Sequence, residues 1–431
     1  AGDGDEGLDL AGARGDDSYL LGVGDVVVEL PGEGSDTLVS YGSCTLADNL
    51  ENALLLGRDA TTATGTEVGY TLDGTRNPAV NILIGLGGDD RYLVDGGDVV
   101  VEAPGGGTDT VVSSVSYTLG DNLENLELAP AAARDVCYGT GNGLDNTLVG
   151  SNGNEVLRGG LGNDRLIGGG GRDVYLFARG DGQDVIDNQE RAAAPEDTLR
   201  FAAGIVEADV VARRQGDDLL LGIRNSADQV SIAGYFAANF PDSGGPANHR
   251  VGRIEFADGT VWGSGDVQGV VDGSRITGPL LDVGVLGGAV QNQNLEAKIA
   301  LAPGATGSLT YCWQTSSDGV FWRDAATPAG QGSRLALTES EVGLDVRVLA
   351  TYSDNDGLVQ TRASAATAPV ANVNDVPFGW VEVAGVTLSG QVVGAATWIA
   401  DPDGVGSLSY QWQRSADGRN WADIAAATDQ N

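Results

Sequence analysis

The sequence predicts an all-β protein: a parallel β-roll, then a small β domain, then β-sandwich domains of immunoglobulin type. Three observations predict this fold. A nine-residue, glycine-rich period runs through residues 141–176, a larger unit recurs after 73 residues in the N-terminal part, and a third unit recurs after 99 residues in the C-terminal part. Short periods of this kind are typical of stacked β coils, and a period near 100 residues is typical of immunoglobulin-type sandwiches.

The nine-residue period consists of four consecutive units, which begin at Gly141, Gly150, Gly159 and Gly168. Each unit has six turn-forming residues and then a three-residue strand with Leu or Tyr in the middle. Glycine permits the positive φ angles of such turns, and a strand this short can bury its apolar residue only against the next coil. We therefore expect units two apart to stack on the same side of a flattened coil, within a β-roll over residues 131–195.

The N-terminal part contains two copies of one module, repeated over residues 12–57 and 85–130 and assigned to segments 1–57 and 85–130. Three motifs recur in the same order and at the same offset of 73 residues. They are Gly15-Asp-Asp-Ser-Tyr-Leu20 with Gly88-Asp-Asp-Arg-Tyr-Leu93, Asp25-Val-Val-Val-Glu29 with Asp98-Val-Val-Val-Glu102, and Asn49-Leu-Glu-Asn52 with Asn122-Leu-Glu-Asn125. The intervening residues 58–84 remain unassigned.

After the roll, residues 196–262 alternate apolar and polar positions and include Asp258-Gly259, a hairpin turn signal. This pattern predicts a small β domain that caps the roll. Residues 263–288 are rich in glycine and are interpreted as a linker.

Two related β-sandwich domains are predicted beyond the linker, a first over residues 289–373 and a truncated second over 374–431. Leu309-Thr-Tyr-Cys-Trp-Gln314 matches Leu408-Ser-Tyr-Gln-Trp-Gln413 at the offset of 99 residues. A tryptophan on a strand favours the immunoglobulin-type architecture, although the cysteine pair of antibody domains is missing. The chain begins inside a repeat and stops inside this second domain, so we interpret it as a fragment.

The charge balance favours a cation as partner. The chain has 61 acidic and 24 basic residues, a formal charge of −37, and 67 of its 431 residues are glycine. This excess of acidic residues disfavours nucleic acid and anionic membranes, which require Lys and Arg. Acidity that serves only solubility is the alternative, but the carboxylates lie at fixed positions within the glycine turns.

The sixth residue of each nine-residue unit supplies a candidate metal ligand. Ca²⁺ prefers six to eight oxygen ligands, which carboxylates and the carbonyls of glycine turns provide. Stacking of units two apart pairs Asp164 with Asn146 on one side and Asp173 with Glu155 on the other. The full set of candidate ligands is Asp17, Asp36, Asp90, Asp109, Asn146, Glu155, Asp164, Asp173, Asp181 and Asp184.

Within this set, the half-repeat Gly180-Asp-Gly-Gln-Asp-Val-Ile186 closes the Asp164 side through Asp184. Similar half-repeats suggest that Asp17 with Asp36, and Asp90 with Asp109, flank related sites. Weaker binding is expected where Asn146 or Glu155 replaces aspartate.

On these motifs, residues 1–187 resemble the repeats-in-toxin (RTX), or haemolysin-type, calcium-binding family. The pattern G-G-x-G-x-D-x-U-x, with U a large apolar residue, carries the resemblance. Residues 196–262 resemble the β domain that often follows such repeats, and residues 289–431 resemble bacterial immunoglobulin-like or cadherin-like modules. The resemblance implies a parallel β-roll, Ca²⁺ as the bound metal, type I secretion and folding triggered by external calcium.

Three functional interpretations stay open. The first is a calcium-binding structural region of a secreted protein, with no catalytic residues of its own and no nucleic acid or membrane partner. The second is an adhesin or matrix protein whose Ig-like domains bind cell-surface or matrix ligands. The third is an accessory region of a secreted enzyme whose catalytic domain precedes this chain. No nucleophile elbow, H-E-x-x-H motif or P-loop occurs in the sequence.

Overall fold

The computed structural model describes most of the chain. The described residues are 9–12, 14–22, 25–130, 136–188, 197–237, 251–272, 280–303, 305–325, 332–354, 359–385, 392–401, 403–425 and 427–428. The predicted segments 131–195 and 196–262 each include residues outside these ranges. The chain separates into two compact units: one comprises residues 1–284, 299–311 and 349–365, and the other comprises residues 285–298, 312–348 and 366–431.

Short strands, which follow one another along the chain, form most of the first unit. These strands are β1 (Asp9–Ala11), β2 (Ser18–Leu21), β3 (Val26–Val28), β4 (Thr37–Ser40), β5 (Cys44–Thr45), β6 (Asn52–Leu55), β7 (Thr62–Thr64), β8 (Thr71–Asp73), β9 (Ile82–Ile84), β10 (Arg91–Val94), β11 (Val99–Val101), β12 (Thr110–Ser113), β13 (Tyr117–Thr118), β14 (Asn125–Leu128), β15 (Val136–Thr140), β16 (Thr147–Val149), β17 (Asn154–Arg158), β18 (Arg165–Ile167), β19 (Val174–Phe177), β20 (Gln183–Ile186) and β21 (Thr198–Phe201).

Alternate strands pair in parallel, which makes a two-sided solenoid. The even strands from β2 to β20 form one continuous sheet, and the odd strands form further sheets, β5 to β11 and β13 to β21. Leu148 in β16 stands opposite Leu166 in β18, and Leu157 in β17 stands opposite Tyr175 in β19. All four of these side chains are at most 2% exposed. The predicted all-β fold with a parallel β-roll is therefore confirmed.

The unassigned stretch 58–84 contributes ordinary coils to this solenoid. Its strands β7, β8 and β9 pair in parallel with strands of the neighbouring coils. Leu72 and Leu83 supply the buried apolar positions of these coils. Their turns carry the buried amides of Asn77 and Asn81 in place of a repeated glycine–aspartate motif.

Beyond the roll, the described chain continues into antiparallel strands and one helix. They are a 3₁₀ turn (Glu207–Asp209), β22 (Val210–Gln215), β23 (Asp218–Ile223), β24 (Gln229–Ile232), β25 (Arg253–Glu255), β26 (Thr260–Trp262) and α1 (Ser264–Val271). β24 pairs in parallel with β20 and β25 with β21, so both faces of the roll extend into this segment. The ring of Phe201 stacks on Phe256, and Phe256 meets Trp262 edge to face.

The segment 263–288, expected to be a linker, differs from that expectation. It contains α1 and β27 (Leu280–Leu286). The backbone N–H of Gly263 donates to the Asp266 carboxylate, which caps the helix at its start, and Val267 is fully buried. A single buried apolar residue in an otherwise polar, glycine-containing stretch gives little periodicity, so the pattern concealed this helix.

The remaining elements are β28 (Asn294–Leu301), β29 (Gly307–Ser316), β30 (Arg323–Asp324), β31 (Arg334–Ala336), a 3₁₀ turn (Glu339–Glu341), β32 (Asp345–Asp354), β33 (Val359–Ala363), β34 (Phe378–Ala384), β35 (Gly394–Ala400), β36 (Gln413–Arg414) and β37 (Ala422–Asp423). Trp313 is fully buried, whereas Trp421 is 60% exposed. The assignment of Ig-like domains stays a prediction. Over the described ranges, the helices are too short or too polar to traverse a lipid bilayer.

Candidate metal centre

One row of side chains lies along the edge of the roll where the chain enters the even-numbered strands. The backbone N–H of Asn146 donates to Oδ1 of Asp164 at 2.7 Å. One coil further, the N–H of Asp164 donates to Oδ1 of Asp184 at 3.1 Å. Each carboxylate is thus held by the backbone of the preceding coil. The predicted neighbours Asn146, Asp164 and Asp184 lie side by side in this row.

The opposite edge carries a second row of the same construction. The backbone N–H of Glu155 donates to Oδ1 of Asp173 at 2.8 Å, and the N–H of Asp173 donates to Oδ1 of Asp197 at 2.8 Å. The structure therefore brings Glu155 and Asp173 together as the sequence predicted. It adds Asp197, which the sequence analysis missed because this residue follows Asp173 by 24 positions and lies outside the nine-residue period.

The second oxygen of several carboxylates in these rows has no protein partner among the described residues, whereas Oδ2 of Asp197 accepts from the side-chain amide of Asn188 at 2.8 Å. Among the described residues, four such oxygens are buried without a hydrogen bond: Glu155 Oε2, Asp164 Oδ2, Asp173 Oδ2 and Asp184 Oδ2. Leaving a buried polar atom unsatisfied costs roughly 1–3 kcal/mol, and more when the group is charged. Four such oxygens in the turns of the roll indicate that a bound ligand, which is not part of the protein chain, contacts them.

The glycine backbone of the turns closely approaches these oxygens. A Cβ atom placed on Gly159 would overlap Oδ2 of Asp164, and one on Gly168 would overlap Oδ2 of Asp173. Hard divalent cations with several oxygen ligands suit such a cradle of carboxylates and glycine-turn carbonyls. The residues present therefore fit Ca²⁺.

Burial makes the ionised carboxylates unfavourable without a cation. Burial is the main cause that raises the pKa of Asp164 to about 6, with the charges of Asp145 and Asp181 adding to it. Burial likewise raises the pKa of Asp184 to about 7, and the neighbouring Asp164 contributes. In the other row, burial and then the charge of Asp197 raise the pKa of Asp173.

These shifts predict how acid acts on the calcium-free chain. The pKa values of Asp164 and Asp184 are raised in the folded state above the unfolded value of about 3.9. Protonation therefore favours the folded roll, and this contribution is lost as the pH rises through about 6 to 7. In chelator we expect the folded fraction, measured by circular dichroism, to increase as the pH falls from about 7.5 to about 4.5. In millimolar calcium the melting temperature should instead decrease over the same range, because protons compete with the metal. A calcium-free chain that gains no β-strand signal on acidification would contradict the first trend.

Asp181 has a different environment from the other candidates in the roll. Its Oδ1 forms a salt bridge with Arg158 at 3.2 Å, and its Oδ2 accepts from the backbone N–H of Ala178 at 2.7 Å. Both oxygens thus have protein partners. Asp181 lies close enough to raise the pKa of Asp164 and Asp184, but the structure does not place it in either row.

The upstream candidates join rows of the same kind. The backbone N–H of Asp17 donates to Oδ1 of Asp36 at 2.9 Å, and the N–H of Asp90 donates to Oδ1 of Asp109 at 2.9 Å. Each predicted pair is thus brought together. The N–H of Tyr70 donates to Asp90 at 3.0 Å, so the row continues into the stretch that the sequence left unassigned.

Two glutamates that the sequence analysis did not choose stand beside these pairs. Glu29 joins Asp17 and Asp36, and Glu102 joins Asp90 and Asp109, with one oxygen of each residue within 4.8 Å of the others in its group. The signal was present, since both glutamates end the recurring motif Asp-Val-Val-Val-Glu. Recurrence alone did not show that this position faces the same turn as the aspartates.

Comparison with protein families agrees with the geometry of the roll. Residues 140–175 match the model of the RTX calcium-binding nonapeptide repeat, in four copies. These residues are RTX calcium-binding repeats. Residues 218–266 match a second model, the haemolysin-type calcium binding protein related domain. The RTX repeats imply Ca²⁺ as the bound metal, and the predicted calcium binding and β-roll are confirmed at this level.

Two curated relatives resemble parts of the chain. The iron-regulated protein FrpA of Neisseria meningitidis serogroup C is 35% identical over 100 residues, which make up 23% of this chain and 8% of FrpA. The endo-1,3-1,4-beta-glycanase EglC of Rhizobium meliloti (strain 1021) is 43% identical over 105 residues, or 24% of this chain and 22% of EglC. The similarity thus covers a minor part of each relative.

Proposed function

We propose that this chain is a calcium-dependent structural region of a secreted protein, and that it folds when it meets extracellular calcium. The observation that carries this proposal is the set of four buried carboxylate oxygens without a protein partner, among the described residues, in the roll. Calcium would supply both the missing ligand and the opposite charge. The chain itself is proposed to be non-catalytic.

In this proposal the even-strand row holds calcium through Asp164 and Asp184, with Asn146 at its end. The other row holds calcium through Asp173 and Glu155. Asn146 brings no charge, and its side-chain amide already donates to the carbonyl of Leu123 at 2.9 Å. The sites next to Asn146 and Glu155 are therefore expected to bind more weakly.

Linkage explains why such a region suits export. If each site binds with a dissociation constant near 0.1 mM and external calcium is near 1 mM, each site stabilises the fold by about 1.4 kcal/mol. In a compartment with little free calcium this contribution disappears, while the repulsion between carboxylates and the ordering entropy of a glycine-rich chain remain. We propose that the chain crosses the type I secretion pathway unfolded and folds outside the cell.

The substitution Asp164→Asn tests the metal role, because it removes a charged ligand and leaves the hydrogen bond in place. The amide oxygen of asparagine can still accept from the Asn146 backbone, so a purely structural role would be preserved. The variant should bind calcium more weakly by about tenfold, because affinity depends on the number of charged ligands. It should therefore need more calcium than the wild type in order to fold.

The matched control is Asp121→Asn, which removes the same charge at an exposed position. Calcium titrations followed by circular dichroism measure the calcium concentration at which the wild type and each variant fold. An Asp164→Asn variant that folds at the same calcium concentration as the wild type would overturn the metal assignment.

One comparison favours a more specific setting, in which this region accompanies a secreted enzyme. The match to EglC, named as a glycanase, places a similar stretch within a protein described as an enzyme. The purified chain is nevertheless expected to leave a 1,3-1,4-β-glucan intact in a reducing-sugar assay. Hydrolysis would contradict the non-catalytic role.

A further inference from the structure

Outside the RTX repeats, three carboxylates converge in the second N-terminal module. Asp90, Glu102 and Asp109 are 2%, 8% and 0% exposed, and one oxygen from each lies within 4.8 Å of the other two. Asp90 precedes β10, Asp109 precedes β12, and Glu102 follows β11 directly. The coil geometry therefore brings all three together from two neighbouring turns on one edge of the solenoid, where three negative charges share a space largely shielded from water.

The protein does not satisfy this cluster. Oδ1 of Asp109 accepts from the backbone of Asp90, but its Oδ2 is buried and has no hydrogen-bond partner among the described residues. No Lys or Arg belongs to an ion pair with these three carboxylates in the described part of the chain. A buried, orphaned carboxylate oxygen beside two further carboxylates points to a bound cation.

A tyrosine hydroxyl holds the cluster in place without neutralising it. Tyr92 is fully buried, and its hydroxyl lies 3.2 Å from Oδ2 of Asp90 and in contact with Oε1 of Glu102. A hydroxyl carries a single proton, so it can donate to only one of these oxygens at a time. Gly85 lies against the same atoms, where a Cβ would overlap both the Glu102 carboxylate and the Tyr92 hydroxyl.

The first module repeats this arrangement independently. Asp17, Glu29 and Asp36 also bring one oxygen each within 4.8 Å of one another. Oε2 of Glu29 is buried without a partner among the described residues, and the Tyr19 hydroxyl donates to Oε1 of the same glutamate. Gly12 stands where Gly85 does in the second module. Two copies at the same offset show that the arrangement belongs to the module.

We propose that Asp90, Glu102 and Asp109 form a site for a hard divalent cation of the calcium type, and that Asp17, Glu29 and Asp36 form its counterpart. This inference rests on the proposed calcium-dependent function but concerns residues outside the matched repeats 140–175. The site differs in construction from those of the roll, because a glutamate from the longer turn between β11 and β12 adds a third carboxylate. With three charged ligands, it is expected to bind calcium more tightly than the sites of the roll.

Equilibrium dialysis of the full chain against radioactive calcium tests the proposal by counting bound ions. The variants Glu29→Gln and Glu102→Gln remove one charge each and keep the shape of the side chain. Each is expected to lose one bound calcium ion at low free calcium, and the double variant is expected to lose two. Glu127→Gln is the matched control, because Glu127 forms a surface salt bridge with Arg91 and its side chain is 42% exposed to solvent. This variant should retain the wild-type count.

The outcomes separate this inference from the proposed function. If the wild type binds no calcium, both fail. If the wild type binds calcium and both glutamine variants keep its full count and affinity, only the three-carboxylate sites are overturned. Should a glutamine variant fail to fold, Glu102→Asp gives the same test, since it keeps the charge but shortens the reach. It is expected to weaken one high-affinity ion by about tenfold, and unchanged binding would contradict the proposal.

Discussion

Removing calcium is expected to abolish most of the regular structure of the roll. In chelator, Oδ2 of Asp164, Asp173 and Asp184 would have no ligand in the folded roll. Folding would also place the negative carboxylates of adjacent coils one coil apart, with no cation to offset their repulsion. If four sites each contribute about 1.4 kcal/mol, their sum of about 5.6 kcal/mol lies at the lower end of the 5–15 kcal/mol typical of a whole domain. The roll should therefore unfold, and calcium should restore it over a narrow concentration range.

Hydrogen exchange followed by mass spectrometry measures this effect along the chain. In calcium, the backbone amides of Asn146, Asp164 and Asp173 donate to the carboxylates of neighbouring coils and should exchange slowly. In chelator they should exchange at the rate of an unfolded chain. Magnesium at the same concentration is the control, since its smaller octahedral shell fits these turns poorly. Equal protection with and without calcium would show that the coils stack unaided.

The second large effect is expected from Gly171→Ala. Gly171 has a φ of +116°, and a Cβ at this position would overlap the carbonyl oxygen of Gly153 in the neighbouring coil. The backbone strain costs about 1–3 kcal/mol, and forcing the coils apart adds about 1–3 kcal/mol. The substitution should therefore lower the free energy of unfolding in calcium by roughly 2–6 kcal/mol.

Gly180→Ala separates the two causes. Gly180 also has a positive φ, +92°, but no atom lies within 4 Å of the position its Cβ would take. Only the backbone penalty of about 1–2 kcal/mol should appear. Urea unfolding of both variants in saturating calcium gives the difference between them. If the two variants were equally destabilised, close contact between successive glycine turns would not be a determinant of the stack.

The sequence was sufficient for the roll because the information there is local and periodic. Leu148, Leu157, Leu166 and Tyr175 occupy equivalent positions of the unit, so a coil of two units places them in the two sheets of the core. The same two-unit period of the coil predicts which residues lie beside Asp164 and Asp173. Once the period is recognised, register and side-chain direction are fixed together.

The parts that escaped prediction lack this regularity. The coils of residues 58–84 are formed from different residues, and Asn81 takes a place in a row that aspartate occupies elsewhere, accepting at its Oδ1 from Thr61 and donating to Asp98. Asp197 belongs to a row but follows a break in the period. Glu102 recurs visibly in the sequence, yet its proximity to Asp90 depends on the length of the turn, which the repeat alone does not specify.

The central claim is that oxygen atoms of neighbouring turns jointly bind calcium and so hold the coils together. Anomalous diffraction from crystals of the chain grown in millimolar calcium tests it most directly. The account predicts anomalous peaks beside Asp164 Oδ2, Asp173 Oδ2 and Asp184 Oδ2, each with oxygen ligands at about 2.3–2.6 Å. Well-ordered turns without any peak at these three oxygens would contradict it.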